Sequence, residues 1–357
     1  MKEKGVPPIV ILSPDAILRS AHYQIKHPKW AEKEKTMNVF VAGASGALGV
    51  PLVQELVKHG HRVTAMARSV EEAGSNDLVQ HVRVNALDKP ALTEALRRSS
   101  PEVVIDLLSS LSKNPAELFS AFPHDGNLRL EGGSNLHSAA LEVGVKRYVQ
   151  QSSGFYLKPE HSYLATEADS FQLDSSPGIS SGSKMYQALE DRVFSDSRIE
   201  GIALRYGFFY GPGTSYCNDG GTADLLRQGA LALVGEGCAV NSFIHVQDAA
   251  LATLTALRAE PGVYNIVDND PVPVAEWLPA FAHKRRRSNA HYGSRRCLLP
   301  QRTEGRVQRQ SQEAAGHSAS SPRMVDPPSF FRSQELTIFN GDHRCLTQRK
   351  MTAWISR

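Results

Sequence analysis

A glycine-rich turn at residues 43–49, Gly-Ala-Ser-Gly-Ala-Leu-Gly, constrains the fold of this 357-residue chain more than any other stretch. It follows a short apolar run at residues 39–42. It precedes residues 50–59, whose leucines and valines form one stripe at helical spacing. Gly60 marks the predicted end of this helix. A strand, a glycine turn and a helix in this order are typical of a site for the diphosphate of a dinucleotide.

The glycines of the turn have separate predicted roles. Gly43 permits the tight turn, Gly46 lets a diphosphate approach the backbone, and Gly49 lets the helix pack on the strand. The free backbone N–H groups and the dipole at the helix N-terminus attract phosphate. We therefore predict that the cofactor contacts the following turn residues: Gly43, Ser45, Gly46, Ala47, Leu48 and Gly49.

The tip of the next predicted strand, residues 62–67, distinguishes between two dinucleotides. NAD sites place Asp or Glu about 20 residues after the glycines, where it binds the ribose hydroxyls. Arg68 holds that place here, and its planar guanidinium suits a 2′-phosphate. We therefore expect NADP(H), with NAD(H) less favoured. The alternative interpretation of Arg68 is a solvated surface arginine.

Strands and helices alternate along residues 37–283, which predicts an α/β fold with a Rossmann-type, doubly wound parallel sheet. Further strands are expected at residues 82–84, 103–108, 146–151, 204–210 and 263–267, and further helices at residues 91–98, 136–143, 249–258 and 273–283. Asp88 is a predicted helix N-cap that also lies near the adenine in a Rossmann unit. Ser109 is at the carboxyl end of the fourth strand, where open α/β sheets bind ligands, and is a predicted cofactor contact.

Composition excludes several classes of protein. No run of about 18 apolar residues is present, so we expect no membrane span, and the N-terminal residues predict no signal peptide. The four cysteines show no metal-binding spacing, which favours a cytoplasmic protein without a metal site. Residues 284–357 contain about 15 Lys and Arg against about 5 Asp and Glu, without interleaved aromatic residues, so no nucleic-acid partner is expected.

The ordered motifs of residues 37–283 resemble the short-chain dehydrogenase/reductase superfamily, in its extended or atypical branch of NAD-dependent epimerase/dehydratase proteins. The matching segments are residues 43–49, 144–149 with Ser152 and Ser153, 205–213, 243–248 and 262–268. The resemblance implies a cofactor domain, a small C-terminal substrate lobe, and hydride transfer at the nicotinamide to or from a small molecule. It also implies that Tyr206 and Phe209 line the cofactor, and that the chain is a possible homodimer.

The resemblance further implies a catalytic set of Tyr, a Lys four residues later, and Ser or Thr after the fifth strand. The Lys lowers the pKa of the Tyr and holds the ribose, the Tyr moves a proton, and the Ser orients the substrate oxygen. Lys184 matches the Lys. Ser152 is the first choice for the serine, with Ser153 second. Four residues before Lys184 stands Ser180, whose hydroxyl is far less acidic than a phenol.

Another tyrosine is therefore needed if the family mechanism operates. Tyr156 is the predicted substitute, with Tyr163 and Tyr210 as alternatives. Tyr186 is offset by two residues from the expected position and would face elsewhere on a helix. The alternative interpretation of Ser152 and Ser153 is strand-end capping. In the later segment at residues 243–248, we expect His245 to be a core histidine and Asp248 a helix N-cap.

Both ends of the chain differ from its middle. Residues 1–36 show no clear hydrophobic periodicity and are expected to be a disordered extension. It would result from a translation start assigned upstream of the true one. Residues 284–357 are expected to be a basic tail of low order. We hypothesise a frameshift between about residues 283 and 297. The codons that can encode residues 305–316, when read one base later, can encode a sequence that resembles a segment near the C-terminus of proteins of this family. The substrate lobe would then be incomplete.

Three functions are open at this point. The first is an NADP(H)-dependent oxidoreductase or epimerase/dehydratase-like enzyme that acts on a small carbonyl, alcohol or nucleotide-sugar. The second is a non-catalytic NADP(H)-binding sensor or interaction protein, which the serine at position 180 favours. The third is a damaged product with an out-of-frame C-terminus that binds nucleotide poorly.

Overall fold

The computed structural model describes residues 35–67, 77–112, 114–160, 164–231, 236–289, 337–340 and 344–347. Nearly all of the predicted N-terminal extension and most of the predicted tail lie outside these residues, as do Arg68 and Tyr163. The predictions made for them therefore stay predictions.

Strands are interspersed with helices from Asn38 to Val267. The strands are β1 Asn38–Ala42, β2 Arg62–Met66, β3 Val79–Val82, β4 Val103–Asp106, β5 Arg147–Ser153, β6 Glu200–Tyr206, β7 Phe208–Tyr210, β8 Val240–Asn241, β9 Phe243–His245, β10 Gly262–Val267, β11 Val272–Pro273, β12 Thr337–Asn340 and β13 Arg344–Thr347. The helices are α1 Gly49–Lys58, α2 Lys89–Ser99, α3 Leu118–Asn127, α4 Gly133–Val143, α5 Pro177–Val193, α6 Gly221–Arg227, α7 Val246–Ala256 and α8 Val274–Asn289.

The main sheet confirms the predicted doubly wound α/β fold. Its order is β13-β12-β10-β6-β5-β4-β1-β2-β3, and the seven strands from β10 to β3 are parallel. Side chains alternate along β1, with Val39 and Val41 in one core and Phe40 and Ala42 in the other. Helices α1 and α7 cover the first face, and α2, α4 and α5 cover the second. Burial of both faces explains the nearly continuous apolar strands.

Several predicted boundaries of strands and helices are wrong. The third strand is Val79–Val82 rather than residues 82–84, because its partner β2 ends at Met66, opposite Val82. The single strand expected at residues 204–210 is two strands, separated at Gly207. A Cβ at Gly207 would lie against the carbonyl of Ser242, and after this close approach β7 leaves the main sheet to pair with β9.

The helix expected at residues 249–258 begins earlier, at Val246. Its N-cap is His245, whose backbone is extended and whose ring Nδ1 accepts a hydrogen bond from Gln247 N (3.2 Å). Asp248 therefore lies inside the first turn, and its predicted N-cap role is wrong. The N-cap predicted for Asp88 is confirmed, since its carboxylate accepts a hydrogen bond from Ala91 N (3.1 Å).

The C-terminal elements extend the sheet and form a small lobe. Helix α8 continues through the boundary predicted at residue 283. Strands β12 and β13 add two antiparallel strands beyond β10. Trp277, Leu278 and Phe281 of α8 are buried with Tyr210 and Phe243 in a separate apolar cluster. Within the described residues, no helix has the length and apolar character to cross a lipid bilayer.

Candidate functional site

The glycine turn connects β1 to α1 with the geometry expected from the sequence. Gly43 has a φ of 85°, and a Cβ there would lie 2.5 Å from the carbonyl oxygen of Leu107. A Cβ on Gly49 would meet the carbonyl oxygen of Gly43 and the backbone of Ala44. The first glycine therefore permits the turn and the third permits close packing, as predicted.

The middle of the turn is open to a ligand. Ser45 and Gly46 are exposed at the N-terminus of α1, and Ala47 is half-buried. The nearest atom to a Cβ on Gly46 would be the carbonyl oxygen of Gly43, at 3.2 Å. The loop after β7 approaches this turn, since a Cβ on Gly213 would lie 3.9 Å from Ala47. An exposed, glycine-bearing helix N-terminus fits the diphosphate of a nicotinamide dinucleotide.

The loop after β4 is fixed by a buried acid. Asp125, on α3, is fully buried and accepts hydrogen bonds from Ser109 Oγ (3.0 Å) and Ser110 N (2.6 Å). Its other carboxylate oxygen accepts from Arg129 Nε (2.7 Å). Ser109 itself is exposed at the carboxyl edge of the sheet, where its predicted cofactor contact would be made. This contact, and the adenine contact predicted for Asp88, stay predictions.

The two serines at the end of β5 have different surroundings. Ser152 is buried, and its hydroxyl donates to Glu190 Oε1 (2.5 Å). The same carboxylate accepts from Arg205 Nε (2.9 Å) and Nη2 (2.8 Å). Ser153 is half-buried, and its hydroxyl oxygen accepts from Phe155 N (3.3 Å). The hydroxyl of Ser152 is therefore bonded to a buried carboxylate, whereas Ser153 is more accessible to solvent.

Helix α5 carries the residues expected to complete the catalytic set. Ser180, at the position of the family Tyr, donates its hydroxyl to the carbonyl oxygen of Leu173 (2.5 Å). Lys184 is exposed. Tyr156 packs on Gly182, where a Cβ would overlap its ring, and lies 5.3 Å from the ring of Tyr186. Residues two apart point to nearly opposite sides of a helix, so Tyr156 contacts a different side of α5 from Lys184.

Burial raises the pKa of the phenol of Tyr156 to about 12. The charge of the nearby guanidinium of Arg129 opposes this increase in pKa but does not cancel it. The catalytic roles predicted for Ser152, Ser153, Tyr156 and Lys184 stay predictions.

The aromatic segment expected to line the cofactor divides between core and surface. Tyr206 is buried, with its hydroxyl 2.6 Å from Thr253 Oγ1. Phe209 is half-buried, and the two rings lie 5.2 Å apart. Tyr210 is buried at the end of β7, 5.1 Å from the ring of His245. Contact of Tyr206 and Phe209 with the cofactor stays a prediction.

A set of buried carboxylates that pair with arginines was not identified from the sequence. Asp106 is almost fully buried at the end of β4 and accepts hydrogen bonds from Tyr148 Oη (2.8 Å) and Leu108 N (3.0 Å). Arg192 Nη2 lies 3.6 Å from the same carboxylate. The available signal was a carboxylate inside the apolar run at residues 103–108, because an unpaired charge is rarely buried. In the described residues, the ion pairs between a buried carboxylate and an arginine are Asp106–Arg192, Asp125–Arg129 and Glu190–Arg205.

Comparison with known proteins gives a consistent result. A model of the "NAD dependent epimerase/dehydratase family" matches residues 39–267. A 3-diazoavenalumate denitrifying reductase from Streptomyces sp is 38% identical over 248 residues, which cover 69% of this chain and 81% of that protein. A 2-alkyl-3-oxoalkanoate reductase from Stenotrophomonas maltophilia is 27% identical over 256 residues, covering 67% and 73%. The structure of MoeE5 in complex with UDP-glucose and NAD is similar, with 26% identity, a TM-score of 0.55, and coverage of 69% and 81%.

Proposed function

The chain belongs to the NAD dependent epimerase/dehydratase family, and on that premise we propose that it is a reductase of a small molecule whose reduction requires no proton from a protein tyrosine. The similarity to two reductases supports reduction over epimerisation. A nicotinamide, when bound, supplies the hydride. The residues that would hold it are those of the glycine turn, with Ser109 and Lys184.

The observation that carries this proposal is the hydrogen bond of Ser180. Its hydroxyl proton is donated to Leu173 O (2.5 Å) at the position where the family places its acid. Six phenols of the described residues have a raised pKa, with burial as the largest cause: Tyr148, Tyr156, Tyr186, Tyr206, Tyr210 and Tyr216. None of the six is an acid whose pKa is close to neutral pH.

Some hydride acceptors need no such acid. An aryl diazonium cation that accepts a hydride becomes a neutral diazene, which then loses N2 and leaves a new C–H bond. Charge and atoms balance without protonation by the enzyme. A carbonyl differs, because hydride addition creates an alkoxide that a nearby acid must protonate. The diazo compound in the name of the 38% identical reductase is consistent with an acceptor of the first kind.

We assign NADP(H) as the cofactor on the strength of Arg68 alone. Thermal unfolding with NADPH and with NADH tests this choice, because a ligand that binds the folded state raises the Tm. A greater rise with NADPH supports the assignment, and a greater rise with NADH contradicts it. No rise with either contradicts nicotinamide binding and favours a damaged product.

Turnover tests the reductase proposal. We expect NADPH-dependent release of N2 from an aryl diazonium salt above the rate without enzyme, and weak activity on simple ketones. Tyr156→Phe is expected to keep the diazonium rate within about twofold, whereas loss of a catalytic acid costs about 10²–10⁴-fold. Lys184→Ala is the comparison variant, and is expected to weaken cofactor binding.

The outcomes separate the alternatives. A large loss of turnover in Tyr156→Phe, with an unchanged Tm, would show that the family mechanism operates through this phenol. Stabilisation by NADPH without turnover of either substrate class would favour the non-catalytic binding protein, which the serine at position 180 also supports.

A further inference from the structure

An exposed aromatic side chain stands next to the end of β5. Phe155 is 48% exposed although phenylalanine is commonly buried. It follows Ser153 by two residues and donates its backbone N–H to the Ser153 hydroxyl (3.3 Å). The carboxyl ends of parallel strands are where open α/β sheets bind ligands. The ring is therefore accessible at the edge of the sheet that carries the candidate site.

Neighbouring rings hold Phe155 in place. Its ring lies 4.9 Å from Tyr156 at an interplanar angle of 86°, and 5.3 Å from Phe208 at 72°. Phe208 lies 6.2 Å from Tyr216. We call Tyr156, Phe155, Phe208 and Tyr216 the aromatic row. Edge-to-face contacts fix the orientation of a ring, so Phe155 loses little conformational freedom when a ligand packs on it.

We propose that Phe155 is a specificity residue that packs against a planar aromatic substrate. This inference rests on the proposed function, since it assigns the substrate class of the same site. The face of an aromatic ring carries negative potential, which attracts a cationic or electron-poor partner. The aromatic row lies next to the half-buried Ser153, so a ligand bound at Ser153 and Tyr156 would lie close to the ring of Phe155. A saturated substrate of the same size gains less from this surface.

A binding experiment tests the inference without turnover. The protein is saturated with NADP⁺, and trans-cinnamate and its saturated analogue 3-cyclohexylpropanoate are titrated by calorimetry. We expect cinnamate to bind more tightly. Phe155→Leu is expected to weaken cinnamate binding by about three- to tenfold, with little effect on the saturated acid, because only an aromatic pair is lost. Phe155→Trp should restore cinnamate binding. Phe194→Leu, which changes another exposed phenylalanine (45%) beyond the end of α5, should change neither.

The result also distinguishes the inference from the function on which it rests. Equal binding of the two acids, or equal losses in Phe155→Leu and Phe194→Leu, would overturn the inference even if diazonium turnover is found. Selective, Phe155-dependent binding of cinnamate without diazonium turnover would support the inference and contradict the reductase proposal. A dimer that dissociates in Phe155→Leu would show that a second copy covers the ring, and would also overturn it.

Discussion

Two half-buried carboxylic acids, Asp268 and Asp248, give this protein its most specific expected response to pH. Asp268, just after β10, shares a cluster with Tyr210, His245 and Asp248. Burial, followed by the charge of Asp248, raises the pKa of Asp268 to about 7, although hydrogen bonds from Tyr210 and the His245 backbone oppose the shift. Burial likewise raises the pKa of Asp248 to about 6. Both carboxyl groups therefore keep their protons up to a higher pH in the folded state than in the unfolded state.

The sign of the effect follows from proton binding. An unfolded Asp has a pKa of about 3.9, so between about pH 4 and pH 7 the folded state retains a proton that the unfolded state has lost. Stability should fall as the pH rises through this window. We expect Asp268→Asn to increase the free energy of unfolding by about 1–2 kcal/mol at about pH 7.5 and to change it little near pH 4. Urea unfolding at both pH values measures the difference.

Asp174, which is exposed in a separate loop before α5, provides the control. Asp174→Asn should leave the pH dependence unchanged, whereas Asp270→Asn should weaken it slightly, because the charge of Asp270 also raises the pKa of Asp268. If Asp268→Asn and the original protein lose stability with the same slope, the carboxyl group of Asp268 is ionised in the folded state and the argument fails.

At the scale of the elements, one buried carboxylate joins a helix to two strands. Glu190 of α5 accepts from Ser152 of β5 and from Arg205 of β6, and all three side chains are nearly inaccessible to water. Arg205 also donates to the backbone of Glu167 (3.1 Å) and lies over the ring of Phe171 (5.0 Å). Replacing only one residue of such an ion pair by a neutral residue is strongly destabilising, because the other charge stays buried without a partner.

Ser152→Ala is expected to reduce the free energy of unfolding by about 1–3 kcal/mol, since it removes a donor from a buried acceptor. Ser153→Ala is the matched variant. It should cost less, because its half-buried hydroxyl accepts one longer hydrogen bond (3.3 Å). Urea unfolding and kcat are measured on both proteins. A large fall in kcat for Ser152→Ala at unchanged stability would instead support the role in catalysis that the family resemblance implies.

The sequence predicted the elements of this fold more reliably than their ends. The glycine turn succeeded because Gly43 and Gly49 are required by the backbone itself. The N-cap at Asp88 succeeded because the signal is local. Asp248 failed because His245, a less common cap, starts the helix three residues earlier. The break at Gly207 depends on the distant carbonyl of Ser242, and no local pattern reveals such a contact.

The candidate site was less predictable than the fold for the same reason. Position 184 could be matched by spacing, but the engagement of Ser152 by Glu190 spans 38 residues of chain. The edge-to-face contact of Phe155 with Phe208 joins segments that are also far apart in sequence. Local patterns therefore located candidate residues without showing which of them are already bonded within the fold.

For the whole molecule, the parallel sheet is formed by residues between Asn38 and Val267, while the tail contributes only the end of α8, β12 and β13 to the described structure. The frameshift hypothesis for this tail is tested by the coding DNA. A family-like continuation in the shifted frame would support it, and a shifted frame without one would contradict it.

The N-terminal extension is expected to contribute little to the stability of the whole. The first described contacts are an exposed ion pair between Lys35 and Glu102 (3.1 Å) and a hydrogen bond from Met37 N to His61 Nδ1 (3.2 Å). An exposed pair of this kind contributes about 0–1 kcal/mol. We therefore predict that deleting residues 1–36 changes the free energy of unfolding by less than about 1 kcal/mol and leaves the Kd for NADPH unchanged. Lys35→Ala in the full-length chain isolates the share of the ion pair. A larger loss of stability on deletion than in Lys35→Ala would show that the preceding residues pack on the sheet.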